Sequence, residues 1–180
     1  MSKEMTAMSR TGGGHTGAGG SSALDMAAWR GTIDLGREPG VGWWLPLARG
    51  EWRELLARIC LALGFENASL ECVLTDDAGM EPLHGEHMGR PGPTNVLSFP
   101  ALGADDLVAS CASLAAGETV FLGSIVLSLE TLRREAWLYG QDPERHAARL
   151  LTHAVLHLAG YEHGPEMEAA AEACLRELEA

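Results

Sequence analysis

Three histidines stand close together in His153-Ala154-Val155-Leu156-His157-Leu158-Ala159-Gly160-Tyr161-Glu162-His163. His153 and His157 fall four residues apart in an apolar run that reads as helix. Four helical steps turn about 400°, so both imidazoles leave one face, a turn apart, and can reach a single ion. Gly160 lets the backbone leave the helix with positive φ and turn back, which offers His163 as a third ligand. Three nitrogens leave one tetrahedral position open, the mark of a catalytic zinc site rather than a closed structural one. A lone His on an apolar face is ordinarily a core residue, and a pair four apart recurs by chance. The third His beyond a helix-breaking Gly makes a metal site the better reading.

The same spacing occurs in the long zinc-protease signature His-Glu-x-x-His-x-x-Gly-x-x-His, where the Glu is the general base. Ala154 stands at that position and cannot take a proton, so peptide hydrolysis by the standard route loses its base. The site suits an electrophile that needs less base assistance, or one whose nucleophile is already part of the substrate.

The elements that must position these residues follow from periodicity and punctuation. Asp142-Pro143-Glu144 opens the metal helix, with Asp at the cap and Pro in the first turn, and the helix runs to about Ala159. His146 lies on it two turns before His153, as a residue behind the ligands or on the surface rather than a ligand. Residues 28–35 form a first strand with Trp29 and Ile33 inward, 36–42 a loop, and Trp43, Trp44 and Leu45 packing anchors. Residues 51–63 have the helical stripe Trp52, Leu55, Leu56, Ile59, Cys60 and Leu63, stopped by Gly64. Residues 68–75 alternate as a strand, 76–79 turn, and 80–88 make a short helix. Its His84, Glu86 and His87 are either metal-proximal or, as the commoner case, solvated. Residues 94–99 form a strand bracketed by Pro93 and Pro100, which suits a sheet edge. Residues 103–117 read as a loop-rich insertion, 119–127 as a buried strand, 129–139 as helix, and Pro165 starts a last amphipathic helix. The fold class is α+β: a small mixed sheet packed with helices, the metal helix lining a cleft in a zinc-protease-like arrangement.

The chain has 180 residues, enough for one domain with an ordinary core. Residues 1–24, rich in Gly and Ser around His15, read as a disordered tail, and 25–180 as a single domain. No apolar run approaches a membrane span, and no basic segment precedes an apolar core at the N-terminus, so a cytoplasmic location without membrane attachment is expected. Cys60, Cys72, Cys111 and Cys174 have no paired spacing and are expected as free thiols.

Two further blocks join the histidines in resembling a known family. His-x-x-x-His-Leu-x-Gly-Tyr-Glu-His is similar to the signature of the YbeY-like endoribonucleases, the bacterial rRNA maturation factors. Pro93-Thr94-Asn95-Val96-Leu97-Ser98-Phe99-Pro100 resembles that family's Pro-Thr-[Asp/Asn]-Val-Leu-Ser-Phe-Pro segment. Leu122-Gly123-Ser124-Ile125-Val126-Leu127-Ser128 looks like its Leu-Gly-Asp-Ile-x-Ile-Ser strand. The likeness covers about 50 to 180, and more loosely back to about 28. It implies a zinc-dependent, single-strand-specific endoribonuclease acting in small-subunit rRNA 3′-end maturation and ribosome quality control. One Zn2+ per chain would sit on His153, His157 and His163, and the partners would be single-stranded RNA, rRNA and the ribosome or its small-subunit proteins. It also implies that the strand carrying Ser98 walls the substrate cleft. The family places an Arg, implied to contact RNA phosphates, five residues before that Pro. Here the position is Met88, and Arg90 is the candidate replacement. Ser124 and Glu162 stand where the family usually has Asp.

The net charge of −12 is unusual for a protein that grips phosphates. Five Glu lie in the C-terminal stretch, while Arg133, Arg134, Arg145 and Arg149, with Arg90, form a candidate basic set. Weak, salt-sensitive RNA affinity and delivery by a ribosomal partner are expected. Two competing readings stand beside the nuclease: a metal-dependent hydrolase of another substrate, and a non-catalytic ribosome-associated metal-binding factor. Whether the nucleophile is water or the RNA 2′-hydroxyl is open.

Overall fold

Alternation and helical periodicity become ten labelled elements in the computed structural model, which describes residues 24–39, 41 and 46–180. The expected tail with His15, and the anchors Trp43, Trp44 and Leu45, lie outside these residues, Leu24 excepted. In order they are β1 (Thr32–Arg37), α1 (Arg49–Ala62), β2 (Ala68–Thr75), α2 (Asp77–Met88), β3 (Val96–Pro100), α3 (Ala104–Ser113), β4 (Val120–Ser128), α4 (Leu129–Leu138), α5 (Pro143–Leu158) and α6 (Pro165–Leu178). The architecture is α+β. Four strands form a mixed sheet in the order β1-β2-β4-β3, with β1, β2 and β4 parallel and β3 antiparallel on β4.

Strand alternation decides which helix covers which face. Leu70, Cys72 and Leu74 of β2 are buried on one side, in a core with Leu35, Trp52, Leu56, Ile59, Ile125, Leu127, Leu151 and Val155. On the other side Val73, Leu97, Phe99 and Val126 pack with Met80 and Leu83 of α2. Helix α5 therefore lies over one face and α2 over the other. Edge strand β3 lies between them, as its flanking prolines suggest, because proline has no N–H to give a second neighbour. Fully burying each Leu or Val of α5 stabilises by roughly 1.5–3 kcal/mol before chain entropy is counted.

Two glycines are fixed by close approach. Leu122 has no partner residue where β2 passes from Ser69 to Leu70, and Gly123 follows with φ +135°. A Cβ on Gly123 would meet the Phe99 carbonyl oxygen at 2.2 Å, so this position of the Leu-Gly-Ser block takes no side chain. Gly160 is the second and belongs to the site.

Several boundaries move. The first strand starts later than expected and runs through Arg37, because Asp25 caps a short 3-10 turn at Met26–Ala28 that ends at Trp29. The expected turn at 76–79 is the start of α2: Asp76 accepts from the Gly79 N–H and is the cap itself. Residues 103–117 are not a loop-rich insertion, since α3 spans ten of them and buries Leu107. Its start carries Gly103 in place of a side-chain cap, which hides it from a reading based on caps.

Asp77 ties three elements together. Its carboxylate accepts from Ser128 Oγ and Thr131 Oγ1, each at 2.6 Å, and from Arg134 at 2.7 Å. Burial pushes its pKa up, but those hydrogen bonds outweigh burial and hold it below the ordinary 3.8. A depressed carboxylate contributes stability above its unfolded pKa and loses it as pH falls through the folded value. We expect Asp77→Asn to lose about 1–2 kcal/mol at neutral pH. The difference from wild type should shrink in urea melts taken progressively below pH 4; a constant difference across that range would refute the assignment.

Candidate metal centre and cleft

The site is built on α5. Asp142 accepts from the Arg145 N–H at 3.0 Å and Pro143 fills the first turn, so the helix begins where the cap pattern requires. One face is wholly buried, with Ala147, Leu151, Ala154 and Val155 against the core. Ala154, at the protease base position, is 0% exposed, and its carbonyl accepts from Ser98 Oγ of β3 at 3.3 Å. An adjoining strip of the helix carries His153 and His157, both partly exposed to the cleft.

His153, His157 and His163 form a group able to hold a metal ion, with ligand atoms all within 4.8 Å of one another. The ring centroids lie 4.6, 4.7 and 5.2 Å apart. Gly160 makes the third ligand possible. At φ +84° it turns the chain out of α5, and an added Cβ would sit 2.6 Å from Ala104 Cβ of α3. The turn also sets a tautomer. His157 Nδ1 lies 3.0 Å from the Tyr161 carbonyl oxygen, so Nδ1–H donates there and the Nε2 lone pair faces the cleft. His153 Nε2 is 3.1 Å from that Nε2. At this distance either His153 Nε2–H donates to the His157 lone pair or both nitrogens face a shared cation, and three imidazoles suit zinc. Burial, then His157 and His163, hold the His153 pKa below its ordinary 6.5. For His157, burial lowers the pKa, the Tyr161 carbonyl opposes, and His163 lowers it again. Both rings are thereby biased toward the neutral form that binds metal.

The triad opens into a cleft of about 610 Å³. One wall is His84, His87 and Met88 at the C-terminal end of α2, with Arg90 just beyond. The floor is Thr94 to Ser98 with Pro100, and the other wall is α5 with Arg149 and Leu150. His84 and His87 are cleft residues but not part of the metal group. His84 Nδ1 pairs with the Gly92 carbonyl oxygen at 2.7 Å, and His87 packs on Phe99 with ring centroids 4.8 Å apart. Met88 and Arg90 both line the cleft.

The candidate basic set divides. Arg90 and Arg149 line the cleft. Arg134 is spent on Asp77, Arg145 pairs with Glu179, and Arg133 lines a separate depression with Glu130 and Trp137. His146 is buried and pairs through Nε2 with Glu135 at 2.9 Å, so it is not a surface residue. Glu135 also accepts from Asn95 Nδ2 at 3.0 and 3.2 Å, which holds the start of β3 in the cleft floor. Sequence reasoning missed Glu135 and Gln141, whose Oε1 accepts from Arg149 at 2.9 Å. Neither has a spacing signal, because both act from α4 and its following turn. Ser124 donates to Glu71 at 2.9 Å across β2 and β4 and does not line the cleft. All four cysteines are free thiols, and burial pushes Cys60 and Cys72 up to about 12. Among the described residues no helix is long and apolar enough to cross a membrane.

The family model described as endoribonuclease YbeY matches residues 48–179. The chain is 44% identical over 137 residues to the endoribonuclease YbeY of Nitratidesulfovibrio vulgaris, covering 73% of this chain and 85% of that one. It is 44% identical over 132 residues to the protein of that name from Oleidesulfovibrio alaskensis, covering 68% and 78%. A Thermotoga maritima protein solved in solution superposes with a TM-score of 0.51 at 19% identity, covering 82% of this chain and 89% of its own, and shows the fold alone.

Replacing Gly160 tests the turn. Gly160→Ala must accept both positive φ and the contact with Ala104. The expected result is a loss of about 2 kcal/mol in stability and weaker zinc capture in a competition titration. Unchanged Tm and zinc affinity would show that the turn does not place His163.

Proposed function

The chain belongs to the YbeY endoribonuclease family, and from that membership we propose a zinc-dependent endoribonuclease that cuts single-stranded RNA in the cytoplasm. Its tasks on this reading are maturation of the small-subunit rRNA 3′ end and ribosome quality control, with the ribosome as partner. The observation that carries the reading is the convergence of His153, His157 and His163 in an open cleft beside edge strand β3. A structural zinc site would use four protein ligands, commonly cysteines, and among the described residues this group has three, all His.

His153, His157 and His163 hold the ion, one per chain. When bound, zinc supplies Lewis acidity toward a phosphoryl oxygen and toward the attacking nucleophile. The chain's own residues do the rest. The Tyr161 carbonyl keeps the His157 ring in the tautomer that presents Nε2. Arg90 takes a phosphate at the cleft mouth, in place of the Arg that Met88 displaces. Ser98 and Asn95, anchored to Ala154 and Glu135, keep the floor at fixed distance from the ligands. Peptide hydrolysis is disfavoured because the base position is the buried Ala154. Met88 favours the second reading, a ribosome-associated factor that binds without turnover.

The deciding assay is cleavage of a labelled single-stranded RNA ending in a precursor-like small-subunit rRNA 3′ tail. Wild type should cleave, stop with chelator and recover with zinc, while His157→Ala should be inactive and bind no stoichiometric zinc. RNA binding without turnover in all conditions would move the assignment to the binding factor. Arg90→Ala should lower kcat/KM roughly tenfold or more, as loss of a charge-assisted phosphate contact does; a variant cleaving at the wild-type rate removes Arg90 from the site.

A further inference from the structure

Arg149 lines two depressions at once. One is the His cleft, and the other, of about 210 Å³, is bounded by Arg145, Arg176, Glu172, Glu179 and Leu175. The second lies between the first turns of α5 and the last turns of α6. We propose that it is a track for single-stranded RNA continuing out of the cleft, with phosphates held in succession by Arg149, Arg145 and Arg176. The proposal rests on the RNA-cleaving reading of the cleft and extends it to a second surface.

The stripe on α5 supplies the geometry. Arg145, Arg149, His153 and His157 follow one another at four-residue steps, each about 6 Å further along the helix and turned by about 40°. A strand lying across the metal site along this stripe meets Arg149 first and then Arg145. The charge is local and contrary to the chain as a whole. Against a net −12, the second depression sets three arginines against two carboxylates. Among the described residues both carboxylates are held only in exposed pairs. Arg145–Glu179 is 2.6 Å with side chains 64% and 51% exposed, and Arg176–Glu172 is 3.8 Å with 72% and 75% exposed. Such pairs are weak and screened by salt, whereas a phosphate offers a guanidinium two oxygens at once. Arg149 donates to the neutral Gln141 amide oxygen, which orients the guanidinium and leaves its charge. The glutamates therefore hold the arginines in place until phosphates exchange for them.

The test uses the full chain and three RNAs with one cleavage sequence: a short one filling the cleft, and two extended by about six nucleotides, on the 5′ or the 3′ side. For wild type, one extension should lower KM. In Arg145→Ala/Arg176→Ala, KM for that RNA should rise roughly tenfold. Its kcat, and both constants for the short RNA, should stay unchanged. The dependence of log(kcat/KM) on log salt should become shallower by about 1.4 for two lost single-strand phosphate contacts. Glu172→Gln/Glu179→Gln should move KM the other way. Equal KM and salt slope in wild type and the arginine variant would overturn the track and leave the nuclease standing. Equal losses on short and extended RNA would assign the arginines to stability and overturn it too. If wild type cleaves no RNA, the nuclease reading fails separately, and anisotropy titration of the same RNAs and variants still decides whether the extended strand uses the track.

Discussion

A helix buried around most of its girth, with two histidines on the strip that opens to the cleft, sets the terms for the rest of this molecule. The sixteen residues of α5 place Ala147, Leu151, Ala154 and Val155 in the core and His153 and His157 in the cleft. Any roll of the helix would bury imidazole nitrogens or expose leucines. The apolar contact with β3 and β4 therefore also sets where the ion would sit. Asp142 and Pro143 fix where the helix starts, and Gly160 fixes where it ends. His163 can join the other two only because Gly160 takes a backbone conformation that a side chain would resist, at a point where α3 leaves no space for one.

The sheet edge supplies the other half of the site. β3 ends on Pro100 and among the described residues pairs on one side only, so its free side becomes a cleft floor rather than a further strand pair. Helices on the two faces of the sheet, α2 and α5, then act as walls. Ser98 reaches the Ala154 carbonyl, and Asn95 is held by Glu135, which is itself paired with the buried His146. Floor and ligand helix are thereby joined through hydrogen bonds as well as packing. Of the three departures from the family pattern, Met88 lines the cleft while Ser124 and Glu162 do not; Arg90 stays near Met88 and Arg149 stands on the opposite wall.

An acidic chain that acts on RNA must concentrate its few cations. In the candidate set Arg134 and Arg145 are engaged with carboxylates, whereas Arg90 and Arg149 line the cleft. Screening confines exposed charges to about 8–10 Å at working salt. Carboxylates beyond that range would therefore weigh less on a phosphate in the cleft than the two arginines that line it.

Much of this was legible in the amino-acid order. The histidine spacing with its glycine, the Pro-Thr-Asn block, the cap at Asp142, the edge character of β3 and the β2 alternation all depend on residues within a few positions of one another. They are set by local stereochemistry, because helical turn, strand pleat and φ preference act over that range. Helix α3 escaped because no side chain caps it and only Leu107 is fully buried, so its periodic signal is faint. The two-sided covering of the sheet, the Glu135–His146–Asn95 link, the Gln141 support for Arg149 and the sorting of arginines into paired and cleft-lining were settled only by tertiary structure. Each joins residues from different elements, and which cation meets which carboxylate depends on helix packing angles that no local spacing encodes. The sequence determined which groups can bind an ion and in what order they come; the packing of α5 between sheet, α4 and α6 decided which other side chains those groups face.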